Sequence, residues 1–183
     1  MIRFFDVVFS FFGLLVLTPL IILLWLIGFF DTGSPIFAQE RVGKHKKPFK
    51  LYKFRSMHVN TKSVATHIAN SSSVTKYGAF LRKSKLDELP QLFNVLFGDM
   101  SLVGPRPNLF NQEELILERE KREVYKVVPG ITGEAQINKI DMSRPQLLAE
   151  TDAVMTKNLT FRKYIYYIVV TVLGKGSGDR IKK

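Results

Sequence analysis

The feature that most constrains this chain is a long apolar stretch near its N-terminus. No residue in positions 7–30 is charged, and most are large aliphatic or aromatic side chains. At about 1.5 Å of rise per residue, a helix of this length can reach across a hydrocarbon core of roughly 30 Å. The stretch is too long for the apolar part of a cleaved signal peptide, and no small-residue cleavage site follows it. We therefore expect a membrane helix that the protein retains.

A proline lies near the middle of the apolar stretch. Pro19, which follows Thr18, removes one helix hydrogen bond and clashes with the preceding turn, so it predicts a kink. A kinked helix can still span the bilayer, because proline is tolerated in transmembrane helices. It can also enter one leaflet and return to the same face. Basic groups flank both ends, which leaves both topologies open.

The chain is strongly basic, with a formal net charge of +11 over 183 residues. The segment 41–55 is rich in Lys and Arg and contains no acid, so it predicts an anionic partner. Charge alone fits nucleic acid, anionic lipid and nucleotide phosphate, and the apolar stretch favours lipid over nucleic acid. Because the chain has no Cys, disulfides, a thiolate zinc site and a cysteine nucleophile are excluded. The length is that of one ordinary domain.

A β-hairpin is expected directly after the apolar stretch. Residues 36–42 and 49–57 are rich in apolar and aromatic side chains, and turn-forming residues separate them. In an extended strand Lys53 and Arg55 point to the same face, where both can meet one phosphate. The alternative is that both are solvated at the end of a strand.

Two adjacent carboxylates, Asp87 and Glu88, stand close to basic residues that include Arg82. An amphipathic helical pattern follows them, which places the pair at or just inside a helix N-terminus and Gly98 at its C-cap. A carboxylate meets a phosphate only where cations or a metal reduce the repulsion, so this composition suits phosphoryl chemistry. The alternative is a plain helix start in which Ser84 and Asp87 form a capping box. Neighbouring residues on a helix point about 100° apart, so the two carboxylates would serve different roles.

Two loops rich in Gly and Pro follow the carboxylates. In the loop 98–107, Arg106 stands between two prolines, which reduces the entropy lost on a bidentate phosphate contact; the alternative is a rigid turn between helices. The loop 129–133 contains glycines that permit close approach of backbone N–H groups to a ligand. A short strand is expected at 135–138, and Gln136 within it is a candidate substrate contact.

Together these segments resemble the bacterial sugar transferase family, the small monotopic phosphoglycosyl transferases. The resemblance rests on the apolar helix and on the motifs SPIFAQERVGKHKKPFKLYKFRSM, LRKSKLDELPQLFNVLFGDMSLVGPRP and PGITGEAQIN. It implies transfer of a sugar 1-phosphate from a UDP-sugar to a polyprenyl phosphate such as undecaprenyl phosphate, with release of UMP. It also implies a need for Mg²⁺ and a place on the cytoplasmic face of the bacterial inner membrane, at the first membrane step of glycan assembly.

The resemblance assigns roles to individual residues. Asp87 matches the family's nucleophile, which forms a phospho-aspartyl sugar in a ping-pong mechanism, and Glu88 matches the neighbouring metal ligand. Thr18 and Pro19 match the helix-breaking Ser-Pro, with a hydroxyl able to bond to a preceding carbonyl, and this match favours the re-entrant topology. The expected site therefore comprises Asp87 and Glu88 for catalysis and Mg²⁺, and Lys53, Arg55, Arg82, Arg106 and Gln136 for substrate.

Three positions qualify the resemblance. Tyr164 stands where family members often carry an aspartate, so an expected carboxylate is missing. Glu134 replaces a usual apolar residue, a change relevant to the choice of sugar or nucleotide. Asp152 matches a further acidic position with a structural or a functional role. The missing carboxylate raises an alternative, an inactive relative that binds a nucleotide sugar or a lipid phosphate at the membrane.

The expected architecture is α+β. Residues 1–30 form a re-entrant membrane helix, and residues 31–183 form a compact, mostly helical catalytic domain with a small β-hairpin and interfacial helices, lying on the membrane surface. The apolar run 164–173 lies either on that surface or in the core. The expected partners are a UDP-sugar, a polyprenyl phosphate and membrane lipid, and not nucleic acid.

Overall fold

The computed structural model describes residues 1–61 and 73–174, and its first element is a single helix that contains the whole apolar stretch. Helix α1, Ile2–Thr32, is 31 residues long and includes Pro19. By length and composition it is apolar enough to cross a membrane. The Thr18 hydroxyl donates to the carbonyl of Leu14 at 2.6 Å, which confirms the expected bond beside the proline. Most large apolar side chains of α1 are exposed, as lipid contact requires.

The predicted hairpin is confirmed. Strand β1, Ile36–Val42, pairs in antiparallel register with β2, Pro48–Phe54, and a 3₁₀ turn at Lys44–Lys46 joins them. Because β2 ends at Phe54, Arg55 lies just beyond the ladder. The hairpin is therefore shorter at its open end than the sequence pattern 49–57 predicts.

Two helices follow the hairpin, and a 3₁₀ turn separates them. Helix α2, Lys76–Ser84, begins at Thr75, whose hydroxyl oxygen accepts from the Gly78 N–H at 2.8 Å. Helix α3, Gln91–Phe97, ends at Gly98 with φ 100°, as predicted. The segment 60–75 is polar and its composition predicts a loop; most of it, residues 62–72, lies outside the described residues.

The carboxylate pair lies between α2 and α3, in the 3₁₀ turn Leu86–Glu88. The expectation that the pair starts the following helix is therefore wrong by one turn, since Pro90 is the N-cap of α3. The capping box is also wrong, because the Ser84 hydroxyl donates backwards to the carbonyl of Phe80 at 2.8 Å. Helix α2 ends at Lys85, which has φ 60°. Ser84 therefore belongs to the end of α2 and cannot form an N-terminal capping box with Asp87.

A second, parallel sheet was not predicted. Strand β3, Ser101–Val103, pairs with β4, Gly130–Thr132, so each Gly/Pro-rich loop contains a short strand. The strand expected at 135–138 is wrong. This segment is one helical turn, α5, Glu134–Ile137, because the N–H of Ile137 bonds to the carbonyl of Gly133 at 3.1 Å.

Three longer helices complete the described chain. In helix α7, Phe161–Val172, Tyr164 and Tyr167 are buried whereas Val169 and Val172 are exposed, so part of the apolar C-terminal run lies in the core. The fold is thus mixed helix and sheet with an N-terminal apolar helix. The three helices are α4, Glu113–Lys121, α6, Pro145–Lys157, and α7, Phe161–Val172.

A buried carboxylate near the start of α1 fastens this helix to the rest of the domain. Asp6 is 2% exposed. Its Oδ1 accepts hydrogen bonds from the Ser101 hydroxyl at 3.0 Å, the Leu102 N–H at 2.9 Å and the Tyr164 hydroxyl at 2.8 Å. Tyr164 thus stands on α7 where the resemblance predicts a carboxylate, and its hydroxyl bonds to a carboxylate on α1.

Polar contacts also attach other parts of α1. Arg3 donates to the carbonyl of Leu96 at 2.9 Å, at the C-terminal end of α3, where a cation is favoured by the helix dipole. At the far end, the Thr75 hydroxyl donates to Asp31 at 2.7 Å, next to the start of α2. The apolar helix is therefore a packed part of the fold along its length.

Candidate active site

The site is built around the 3₁₀ turn that holds the two carboxylates. Leu86 and Leu89 on either side of the pair pack against the core cluster of Leu24, Phe54 and Leu81. This packing fixes the turn against both α1 and β2. Asp87 is 2% exposed and Glu88 is 8% exposed, so both carboxylates are buried.

Glu88 is held by two cations from different elements. Its Oε1 lies 2.7 Å from a guanidinium nitrogen of Arg106 and 3.9 Å from the Lys53 ammonium. Lys53 comes from β2, and Arg106 comes from the segment after β3. Because the groups are largely buried, their mutual attraction is screened less than at the surface. The structure therefore brings together Glu88, Asp87 beside it, and two of the predicted phosphate ligands.

A small recess opens beside these cations. Two of its lining residues, Arg41 and Gln91, were not predicted as site residues. Arg41 is 7% exposed and donates to the carbonyl of Pro107 at 3.2 Å. Arg41 stands between Glu40 and Val42, so its neighbours in sequence gave no signal that it is buried. The polar lining residues are Arg41, Lys53, Gln91 and Arg106.

Arg55 and Arg82 both contact residues that flank the hairpin. The Arg55 guanidinium donates to the carbonyl of Ser34 at 2.7 Å and lies 5.4 Å from the centre of the Phe37 ring. It therefore fastens the connection between α1 and β1. Arg82 donates to the Ser56 hydroxyl at 2.7 Å, just after β2. Of the two residues expected to share one strand face, only Lys53 reaches Glu88.

Gln136 supports the backbone near Arg106. It is 6% exposed, and its amide donates to the carbonyl of Gly104 at 3.3 Å. The N–H of Gly104 in turn donates to Thr132 at 2.8 Å, which continues the parallel pairing by one step. The contact therefore attaches Gln136 to the backbone two residues before Arg106.

Glu134 contacts helix α7. Its carboxylate accepts from the Tyr167 hydroxyl at 3.2 Å, and its backbone N–H points at the Met155 sulfur at 3.1 Å. Burial, followed by the nearby Glu134 charge, raises the pKa of Tyr167 to about 12. The tyrosine therefore stays protonated and donates at neutral pH.

The two carboxylates offer a donor set that fits Mg²⁺. Mg²⁺ prefers oxygen ligands and is commonly held by one or two carboxylates together with substrate phosphates and water. Within residues 1–61 and 73–174, no cluster of three or more His, Cys, Asp or Glu side chains is present. A metal at Asp87 and Glu88 would accordingly be shared with a phosphate substrate.

The described arrangement defines a class of protein. An apolar helix is packed on an α+β domain, and the domain holds a buried Asp-Glu pair, two cations and a basic recess, which suits phosphoryl transfer close to a membrane. The model of the family described as "Bacterial sugar transferase" matches residues 1–175, and the chain belongs to this family.

Curated relatives agree with this membership. The chain is 43% identical over 141 residues to "Uncharacterized sugar transferase EpsL" of Bacillus subtilis, covering 76% of this chain and 69% of the relative. It is 42% identical over 133 residues to "Putative undecaprenyl-phosphate N-acetylgalactosaminyl 1-phosphate transferase" of Bacillus subtilis, covering 71% and 70%. It is 46% identical over 140 residues to "UDP-glucose:undecaprenyl-phosphate glucose-1-phosphate transferase" of Klebsiella pneumoniae, covering 73% and 30%. The match therefore spans most of the shorter relatives and under a third of the longer one.

Proposed function

We propose that this protein transfers a sugar 1-phosphate from a UDP-sugar to undecaprenyl phosphate or a similar polyprenyl phosphate, with release of UMP. The observation that carries the proposal is the buried Asp87–Glu88 pair, with Arg106 and Lys53 at Glu88. The Klebsiella pneumoniae relative is named for a UDP-glucose donor and an undecaprenyl-phosphate acceptor, and the Bacillus subtilis N-acetylgalactosaminyl 1-phosphate transferase for the same acceptor.

Asp87 is the nucleophile in this proposal. Its carboxylate oxygen attacks the phosphorus that carries the sugar, the bond to the bridging oxygen of the diphosphate breaks, and UMP leaves with that oxygen. A phosphate oxygen of the polyprenyl acceptor then attacks the same phosphorus and releases the Asp87 carboxylate. Splitting the transfer into two displacements lets one site serve a water-soluble donor and a lipid acceptor in turn.

The cations reduce the repulsion that opposes the attack of a carboxylate on a diphosphate. Arg106 offers a planar fork for two phosphate oxygens, and Lys53 adds a second positive charge from β2. A bound diphosphate competes with Glu88 for Arg106. Glu88 and Asp87 would hold Mg²⁺, which would supply further neutralisation of the phosphate charge.

Membrane placement follows from the acceptor. The phosphate of a polyprenyl phosphate lies at the headgroup plane, so a domain fastened to a shallow helix reaches it without extracting the lipid tail. We propose that residues 1–30 re-enter one leaflet at Thr18 and Pro19, and that residues 31–183 lie on the cytoplasmic face of the bacterial inner membrane. The bond from the Thr18 hydroxyl to Leu14 supports a bend in the helix there, because such bonds bend helices.

The structure also bears on the alternative of an inactive binding protein. That alternative depended on the missing carboxylate at Tyr164. The Tyr164 hydroxyl instead bonds to the buried carboxylate of Asp6, and Asp87 and Glu88 are both present. We therefore favour the transferase.

UMP release tests the chemistry. Purified protein in lipid nanodiscs with Mg²⁺ is supplied with a panel of UDP-sugars. We expect about one equivalent of UMP per protein without acceptor and continuous release with undecaprenyl phosphate, because the first displacement leaves the sugar phosphate on Asp87. Asp87→Asn abolishes both phases, whereas the control Asp141→Asn retains them. Turnover by Asp87→Asn near the wild-type rate would refute the covalent mechanism. Donor binding without UMP release from any UDP-sugar would favour the binding protein.

A single thiol tests the topology. The chain has no cysteine, so Ile2→Cys introduces one reporter without background. The re-entrant arrangement predicts no labelling by a membrane-impermeant reagent in intact cells and full labelling after lysis. Labelling in intact cells would show that α1 crosses the bilayer.

A further inference from the structure

A buried ion pair outside the site described above connects α4 with α6. The guanidinium of Arg119 lies 2.6 Å from the Asp152 carboxylate, and the two side chains are 1% and 0% exposed. Replacing a buried ion pair by apolar residues is often neutral or stabilising, so stability alone gives little reason for one here. One oxygen of the carboxylate is also unsatisfied, since Asp152 Oδ1 has no hydrogen-bond partner in the described part of the chain.

The other donors of Arg119 explain its position. Its Nη1 donates to the carbonyl of Arg106 at 2.9 Å and to the Asn108 side-chain oxygen at 2.9 Å. The Tyr125 hydroxyl donates to the same oxygen at 3.0 Å. Asp152 thus orients the guanidinium, and the guanidinium holds the segment 106–108 from the α4 side.

The same segment is held from the opposite side by β1. The N–H of Val42 donates to the carbonyl of Asn108 at 2.9 Å, and Arg41 donates to Pro107 at 3.2 Å. With both sides held, the Arg106 backbone has little freedom, and its guanidinium meets Glu88 at 2.7 Å. Removing the α4 side would leave one set of restraints and allow the arginine to shift.

From this geometry we infer that Arg119 is a positioning residue for the transfer reaction, acting through the backbone of Arg106. The kinetic test of this inference rests on the proposed function. The structural test depends only on the contacts and needs no activity. Lysine cannot replace arginine here, because an ammonium lacks the planar fork that reaches Asp152, Arg106 and Asn108 together.

The kinetic test is a double-mutant cycle of Arg119→Lys with Arg106→Ala, read as UMP release with undecaprenyl phosphate present. We expect Arg119→Lys to lower kcat/KM by about 10- to 100-fold, since a misplacement near 1 Å can cost this much. In the Arg106→Ala background, Arg119→Lys should lower kcat/KM by less than about twofold, because the guanidinium that Arg119 positions is no longer there. The matched control is Arg122→Lys, an arginine of the same helix end that pairs with Glu118 and Glu150. Equal losses in both backgrounds would overturn the inference.

The structural test needs no activity, so it separates failure of this inference from failure of the proposed function. Amide hydrogen exchange is followed at Val42, which donates to Asn108, and at Leu109. Arg119→Lys should accelerate exchange at both amides by about tenfold relative to wild type, a shift of about 1.4 kcal/mol in local opening, whereas Arg122→Lys should not. Unchanged exchange in Arg119→Lys would refute the positioning role. If Arg119→Lys does not fold, Asp152→Asn, which weakens the pairing that orients Arg119, replaces it in both tests, with a smaller loss expected and the same refuting outcomes.

Discussion

The contact between Tyr164 and Asp6 gives the sharpest stability prediction. Tyr164→Phe removes the hydroxyl that donates to Asp6 at 2.8 Å and keeps the ring, which stacks on Phe161 with centroids 6.2 Å apart. Burial and the Asp6 charge raise the pKa of Tyr164 above its ordinary value, so the hydroxyl is a protonated donor throughout the neutral range. The substitution therefore deletes one hydrogen bond and leaves the packing in place.

The magnitude follows from burial and from the donors that remain. A hydrogen bond to a charged group contributes about 1.5–3 kcal/mol, and Asp6 at 2% exposure has little access to water as a substitute. Ser101 and Leu102 still donate to the carboxylate, so we do not expect the full cost of an unpaired buried charge. For a chain of this size the loss corresponds to a fall in Tm of about 3–12 °C.

Thermal unfolding in one fixed detergent measures this loss. Tyr166→Phe is the matched control, because Tyr166 is on the same helix and 55% exposed, and its Tm should stay within about 1 °C of wild type. A cycle with Asp6→Asn should show coupling of about 1 kcal/mol or more. Equal Tm values for Tyr164→Phe and Tyr166→Phe, or strictly additive effects with Asp6→Asn, would refute the reasoning.

Two further predictions concern the backbone and pH. Gly130→Ala should unfold the protein or cost more than about 4 kcal/mol, because a Cβ there would lie 2.0 Å from the backbone nitrogen of Gly104; Gly13→Ala, whose Cβ would meet only a side chain at 3.6 Å, should be tolerated, and circular dichroism with Tm compares them. Burial and Asp31 raise the pKa of Tyr77 to about 12. The unfolded chain loses this proton from about pH 10, so stability should fall as pH rises from about 10 to 12, and Tyr77→Phe should make the fall in Tm shallower; an equally steep fall would contradict this.

The elements that the sequence predicted correctly are those with local signals. The apolar stretch, the hairpin and the Gly98 C-cap each depend on residues that are neighbours along the chain. Strands β3 and β4 have only three residues each, which is too short for a periodic pattern to predict them. They also pair across the whole of α4, so the pairing has no local signal. The segment 135–138 looked like a strand by composition, but its backbone bonds complete a helical turn instead.

For the site as well, residues with a local sequence signal were predicted and residues that act through distant contacts were not. The motif around Asp87 and Glu88 predicts a phosphoryl site, and the structure places Lys53 and Arg106 at it. The support residues were missed because each acts through contacts distant in sequence. Arg119 reaches Asp152 in another helix, where a buried arginine and a surface arginine look alike in sequence.

The bond between Asp6 and Tyr164 also imposes an order of events on the newly made chain. The two residues are 158 positions apart, so at roughly 5–20 residues per second the ribosome adds Tyr164 some 8–30 s after Asp6. Until then the Asp6 carboxylate can accept from Ser101 and Leu102 of β3 but lacks the Tyr164 hydroxyl of α7. The final packing of α1 on the domain therefore waits until helix α7 has been made. Attachment of the first helix and closure of the domain become late, coupled steps of folding.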